Sequence, residues 1–220
     1  MTSTLNRRAI FVGLPLLLAG CASSPPRTSQ LALQPREPAD IASPYGPITN
    51  EPYPVRALDL NKVDPDLLRQ PVAYNGPYAG GTVVVSIPER RLYLVQPDGS
   101  ALRYAVGVGR DEALNFRGSA VIGRKAEWPS WTPTASMIQS IPRYRAFAGG
   151  MPGGADNPLG PRALYLYRDN QDTHFRLHGT TEPRSIGKAV SSGCIRLFNQ
   201  DIIDLYNRVP IGAPLVVLQG

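Results

Sequence analysis

The chain is predicted to form a mostly β, compact sandwich- or barrel-like domain with few short helices, preceded by a disordered tether. Three observations carry this. From residue 80 onward, short runs rich in Val, Leu and Tyr alternate with Pro, Gly and Asp turns at hairpin spacing. One stretch alone, beginning at Asn199, carries a helical apolar face. Eleven of the 23 prolines fall between Ala22 and Ala79, where no apolar period of 2 or 3.6 persists. Length and a hydrophobic content of 42% suffice for one sizeable core, and 18% charged residues argue against a coiled coil.

Residues 1–20 read as an export signal. Arg7 and Arg8 precede the apolar run Ile10–Ala19, which at about 1.5 Å per residue reaches only about half of a bilayer core. The run closes on Leu18-Ala19-Gly20-Cys21, which resembles a bacterial lipobox and marks Cys21 for lipidation. Removing that segment lowers the formal charge from +6 to +4. No basic run suggests nucleic-acid binding. Residues 21–79 are then a lipidated, Pro-rich spacer of partly polyproline character.

Residues 80–220 form the folded domain. Strands are expected at Thr82–Ile87, Arg91–Gln96, Leu102–Gly109, Ala120–Trp128, Ala163–Tyr167, His174–His178 and Pro214–Leu218. Asn199 is placed as the N-cap of a helix with Ile202, Ile203, Leu205 and Tyr206 on its apolar face, ended by Pro210 and Gly212. The Pro/Gly-rich connection between Pro129 and Gly160 is long enough to be a lid or a cleft wall.

Chemistry concentrates in His178-Gly179-Thr180 and Ser191-Ser192-Gly193-Cys194-Ile195-Arg196. A free cysteine is commonly a buried small hydrophobe. Cys194 instead follows a polar tight turn, with Gly193 beside it to allow close backbone approach. A thiol near its reference pKa of ~8.5 is a usable nucleophile when a histidine takes its proton. Only His174 and His178 are available. On a regular strand they share a face through Arg176, with Phe175 and Leu177 turned away. That pairing lacks a third ligand, so no metal is expected, and no cofactor motif is present.

His178-Gly179-Thr180, followed after sixteen residues by Cys194 in Ser-Ser-Gly-Cys-Ile-Arg, resembles the active-site signature of the L,D-transpeptidases of the YkuD-like, ErfK/YbiS type. Gly81–Val85, Gly107-Val108-Gly109, Trp128-Pro129-Ser130-Trp131 and Asn157-Pro158-Leu159-Gly160 extend the likeness in order. The resemblance implies an enzyme acting on peptidoglycan stem peptides. Cys194 would attack the bond between meso-diaminopimelate and D-Ala of a tetrapeptide, and His178 would be the proton donor and acceptor. An amine from another stem or from an envelope protein would resolve the thioester. Water as acceptor would make the chain a hydrolase. A lipid-tethered wall-binding protein is the third reading, but it needs neither His178 nor Cys194.

Supporting roles follow by position. The N–H groups of Gly193 and Cys194 are candidates for the oxyanion hole, Arg196 for binding a stem carboxylate, and Gly179 and Ser191 for shaping the pocket. The Gly179 carbonyl is a candidate for orienting the His178 ring. Ser192 stands where many relatives carry a second histidine. Trp128 and Trp131 are candidates for lining the cleft. The expected place is the periplasm, on the inner leaflet of the outer membrane through the Cys21 lipid.

Overall fold

The computed structural model of the chain describes residues 43–219. The signal segment, Cys21 and the spacer up to residue 42 lie outside the described residues. No helix among the described residues is long and apolar enough to cross a membrane.

Eleven strands are present among the described residues. They are β1 (Gln70–Ala73), β2 (Val83–Ser86), β3 (Arg91–Val95), β4 (Ser100–Ala105), β5 (Val108–Gly109), β6 (Gly118–Glu127), β7 (Arg162–Arg168), β8 (Gln171–His178), β9 (Ala189–Ser191), β10 (Ile195–Arg196) and β11 (Pro214–Leu218). Nine form one sheet in the order β1-β4-β3-β2-β11-β6-β7-β8-β10, while β5 and β9 pair separately. The sheet curls back on itself. Gly107, two residues past β4, exchanges both backbone hydrogen bonds with Arg196 of β10, at 2.9 and 2.8 Å. This bridge joins the β10 edge to the chain leaving β4, one strand in from the opposite edge, and gives the expected barrel-like closure.

Alternation explains the core. Val83 and Val85, Leu92 and Leu94, Leu164 and Leu166, and Leu215 and Val217 point inward from β2, β3, β7 and β11 and pack in one apolar cluster. Helix α2 (Asn199–Arg208) closes that cluster with Ile202 and Leu205, both fully buried. Its last carbonyls are capped by Lys125, whose ammonium donates to Tyr206 O and Val209 O at 2.6 and 2.8 Å. Asn199 is not the N-cap. Phe198 holds that place, and Asn199 Oδ1 instead accepts from Thr180 N at 2.8 Å, tying the helix to the loop after β8.

The spacer boundary moves. Residues 43–79, read from composition as tether, lie on the domain. β1 pairs with β4 over four residues. Tyr45 and Leu68 are buried with Ala105, Ile186 and Phe198 in a second apolar cluster. Polar anchors do the rest. Tyr45 Oη donates to Asp201 at 2.9 Å, and Gln200 Nε2 donates to Gly46 O and Arg56 O at 3.2 and 2.9 Å. Glu51 receives both terminal nitrogens of Arg162, at 2.5 and 2.9 Å, and the indole N–H of Trp128 at 2.8 Å. Such isolated anchors leave no periodic trace in the sequence.

The 129–160 connection is ordered by its base. Trp131 and Met151 exchange backbone hydrogen bonds at 2.8 and 2.7 Å. The fully buried Asn157 donates from Nδ2 to Pro129 O and Pro152 O. Within the loop lie helix α1 (Ala135–Ser140), started by Thr134 Oγ1 accepting from Met137 N, and a 3-10 run over Pro142–Phe147.

Candidate active site

β8 and β10 run parallel, with Leu177 opposite Ile195 and His178 opposite Arg196. Leu177 and Ile195 are buried in the core, so period 2 sends Arg176, His178 and Arg196 to the other face of the pair. Cys194 immediately precedes Ile195 and is one step out of phase with it. It therefore joins that face, one diagonal step from His178. The structure thus brings together the thiol and the imidazole that the sequence separates by sixteen residues.

His174 is not brought there. Thr173, His174 and Phe175 stand opposite the single residue Leu166, and His174 has φ +63°. The bulge breaks the alternation that would have aligned it with His178, and its side chain is exposed. Among the described residues no group of three or more His, Cys, Asp or Glu is arranged to hold a metal.

His178 is 5% exposed. Its Nδ1 lies 2.6 Å from Gly179 O. A carbonyl only accepts, so Nδ1 carries the proton and Nε2 is left bare. Burial, reinforced by the Arg196 and Arg176 charges, pulls the imidazole down to about 4, although the Gly179 bond opposes this. The ring is neutral at neutral pH. Gly179 has no room for a side chain, since a Cβ would fall 2.4 Å from Asn199 Oδ1 and 2.9 Å from Pro161.

Cys194 is half-buried. Burial pushes its thiol up, while the Arg176 backbone N–H and the charges of Arg176 and Arg196 pull the other way. Thiol and imidazole are therefore both uncharged at rest, and they make no hydrogen bond to each other in this arrangement. The turn before the cysteine is held by Ser191, which is 2% exposed. Its hydroxyl donates to Cys194 O at 2.7 Å and accepts from Gly193 N at 3.1 Å. Gly193 has φ +127°, and a Cβ there would meet Leu114 O at 2.6 Å. The Gly193 N–H expected in the oxyanion hole is thus already engaged by Ser191. Ser192 is exposed.

Each arginine on this face has a carboxylate partner. Arg176 is held by both oxygens of Asp172, at 2.7 and 2.9 Å, with its guanidinium 4.3 Å from the Tyr165 ring centre. Arg196 donates to Glu182 at 2.8 Å. Sequence reasoning missed Asp172, Glu182 and Asn199. Glu182 and Asn199 act between loops and elements, and Asp172 reaches Arg176 within β8 only because the bulge at His174 breaks the regular alternation. Trp131 lines the cavity beside Arg196, whereas Trp128 packs edge-to-face on Tyr53 at 5.0 Å and binds Glu51.

A thiol and a neutral imidazole with a bare nitrogen, on one face of adjacent strands, suit nucleophilic acyl transfer. The sequence agrees with that class. The profile of the L,D-transpeptidase catalytic domain YkuD matches residues 80–217. An L,D-transpeptidase-type reading frame, ORF 5 in the ATP synthase subunits region of Fuscovulum blasticum, is 31% identical over 99% of this chain and 100% of its own length. "Probable L,D-transpeptidase ErfK/SrfK" of Escherichia coli strain K12 is 35% identical over 62% of this chain. The match spans only 43% of that relative's length. A crystal structure from Brucella melitensis, described as a probable carnitine operon oxidoreductase, is 45% identical and covers 73% of this chain and 99% of its own, with a TM-score of 0.48. The chain belongs to the L,D-transpeptidase family, and residues 80–217 are its YkuD-type catalytic domain.

Proposed function

We propose that this protein is a cysteine-dependent peptidoglycan L,D-transpeptidase, exported to the periplasm and held at a membrane by a lipid on Cys21. The observation that carries the reading is the shared face of Cys194 and His178, with the imidazole neutral and its Nε2 bare.

The reaction follows from those groups. As Cys194 Sγ attacks the carbonyl carbon at the L-centre of meso-diaminopimelate, His178 Nε2 takes the thiol proton. The carbon–nitrogen bond to D-Ala then breaks, and the imidazolium returns the proton to the departing amine. The thioester is resolved when an amine from a second stem or an envelope protein attacks it. His178 accepts that amine's proton and passes it to the leaving sulfur. The present lack of a thiol–imidazole hydrogen bond fits a site that tightens on substrate binding. Ser191 positions the nucleophile by fixing the Gly193–Cys194 turn, and Arg196, paired with Glu182, borders the cleft beside His178.

Incubating the purified chain with a diaminopimelate tetrapeptide, with and without an amine acceptor, tests the reaction class by mass analysis. Release of D-Ala together with a crosslinked dimer or an acceptor-modified stem is the expected result. Tripeptide alone, even with amine present, would assign the hydrolase reading. No D-Ala release would contradict enzymatic function on this bond.

A further inference from the structure

Two hydrogen bonds near His178 belong to a single peptide unit. Gly179 O accepts from His178 Nδ1 at 2.6 Å, and Thr180 N, the other end of the same amide, donates to Asn199 Oδ1 at 2.8 Å. A trans peptide is planar, and its C=O and N–H leave from opposite edges. Holding the N–H edge therefore aims the C=O edge. Accepting that N–H also polarises the carbonyl of the same amide and strengthens its grip on the imidazole N–H. The other bond at Gly179, from its own N–H to Arg162 O, is longer at 3.3 Å and lies in the preceding peptide unit. A backbone N–H only donates, so the Asn199 atom that faces Thr180 is its carbonyl oxygen.

The fold builds a slot for that oxygen. A Cβ on Gly179 would lie 2.4 Å from Asn199 Oδ1, and one on Gly160 would lie 2.6 Å from it and 3.0 Å from both Gly179 Cα and Thr180 N. Gly160 has φ +65°, and its N–H donates to the carbonyl of the fully buried Asn157 at 2.9 Å. The Asn157–Gly160 turn thus lays a bare Cα against the Gly179–Thr180 peptide. On the other side, Ile202 and Leu205 fix α2 in the core. Phe198 holds the N-cap place, so the Asn199 side chain does not cap the helix.

We propose that Asn199 is a positioning residue for the acyl transfer, holding the His178 ring, through the Gly179–Thr180 peptide, in the tautomer with Nδ1 protonated and Nε2 bare. The inference rests on the acyl-transfer reading for its effect on rate, and on the geometry alone for its effect on the ring.

Nitrogen-15 NMR of the full chain labelled at histidine reads the proton directly at pH 7, where the ring is neutral. Exposed His174, the other histidine of the chain, is the internal reference. Native His178 should show Nδ1 protonated and Nε2 bare. Asn199→Ala should mix in the opposite tautomer. It should also lower the maximal rate of Cys194 acylation by a tetrapeptide donor about tenfold to a hundredfold, the scale of one lost hydrogen bond at a buried group. The half-saturating donor concentration should not change. Asn199→Asp, which keeps an acceptor oxygen, should restore the tautomer and most of the rate. Rates are taken per folded molecule, with folding checked by circular dichroism. A merely structural role would lower the melting temperature and move neither the ring signals nor the rate, and that result would overturn the proposal. So would a native ring protonated on Nε2, or an aspartate variant no better than the alanine one. The two claims fail separately. If Asn199→Ala disperses the tautomer but the native chain never acylates, the positioning stands and the acyl-transfer reading falls. If the chain acylates equally well with and without Asn199, the positioning alone falls.

Discussion

Burial suppresses charge at both His178 and Cys194, and this sets how the pair responds to pH. The folded imidazole is held near 4, against about 6.5 in the unfolded chain. Between those values the unfolded state binds the extra proton, so the His178 contribution to stability is complete above pH 6.5 and is lost as pH falls toward 4. Asp201 has the opposite sign. It is fully buried, and its carboxyl is raised to about 7, so its contribution is present at low pH and lost as pH rises through that value. Comparing native and His178→Gln melting temperatures between pH 4 and 7 isolates the histidine. The native protein should lose stability relative to the variant as pH falls, and parallel curves would refute a buried neutral imidazole. Acylation rates divide the two histidines. Losing the base should cost about 10²- to 10⁴-fold in His178→Gln, whereas exposed His174→Gln should retain most of its rate. The reverse ranking would overturn the base assignment.

The elements divide by how they are stabilised, and that decides which were legible. β3, β6 and β11 bury apolar residues at period 2, while β2 and β7 are short continuous buried runs, so their sequences announce them within a residue or two. The bulge in β8 was invisible, because it depends on a left-handed backbone at a histidine, with the His174 N–H taken by Asp172 Oδ1 at 2.8 Å. The segment over residues 43–79 was invisible for a different reason. Single side chains such as Tyr45, Glu51 and Leu68 dock into sites built by distant residues. The Glu51–Arg162 pair gives that docking a measurable size. Its side chains are 11% and 7% exposed, and Arg162 O accepts from Gly179 N at 3.3 Å, next to the carbonyl that orients His178. Glu51→Ala would strand a buried guanidinium and should cost about 3 kcal/mol. At this chain length that is roughly 6–12 °C in Tm. The exposed Glu89→Ala should change stability by no more than about 0.5 kcal/mol. Equal effects would mean that the segment adds nothing to the domain.

At the scale of the molecule, the motif around His178 and Cys194 and the fold class were readable because a few residue types are forced. Gly179 and Gly193 stand where a Cβ collides, and Cys194 follows a turn that leaves its thiol half-exposed. What surrounds the motif was not readable, since Asp172 depends on the β8 bulge, Glu182 on the loop after β8, and Asn199 on the docking of the helix against that loop. The proposed lipid anchor rests on Leu18-Ala19-Gly20-Cys21. Cys21→Ser should move the protein to the soluble fraction of the cell envelope without altering the activity of the purified domain, and unchanged membrane fractionation would refute the anchor. The central claim is a covalent bond to one sulfur, and intact-protein mass measured after exposure to a tetrapeptide donor or a carbapenem tests it most directly. The account predicts one acyl adduct on the native chain and none on Cys194→Ala, and an adduct that persists in that variant would contradict it.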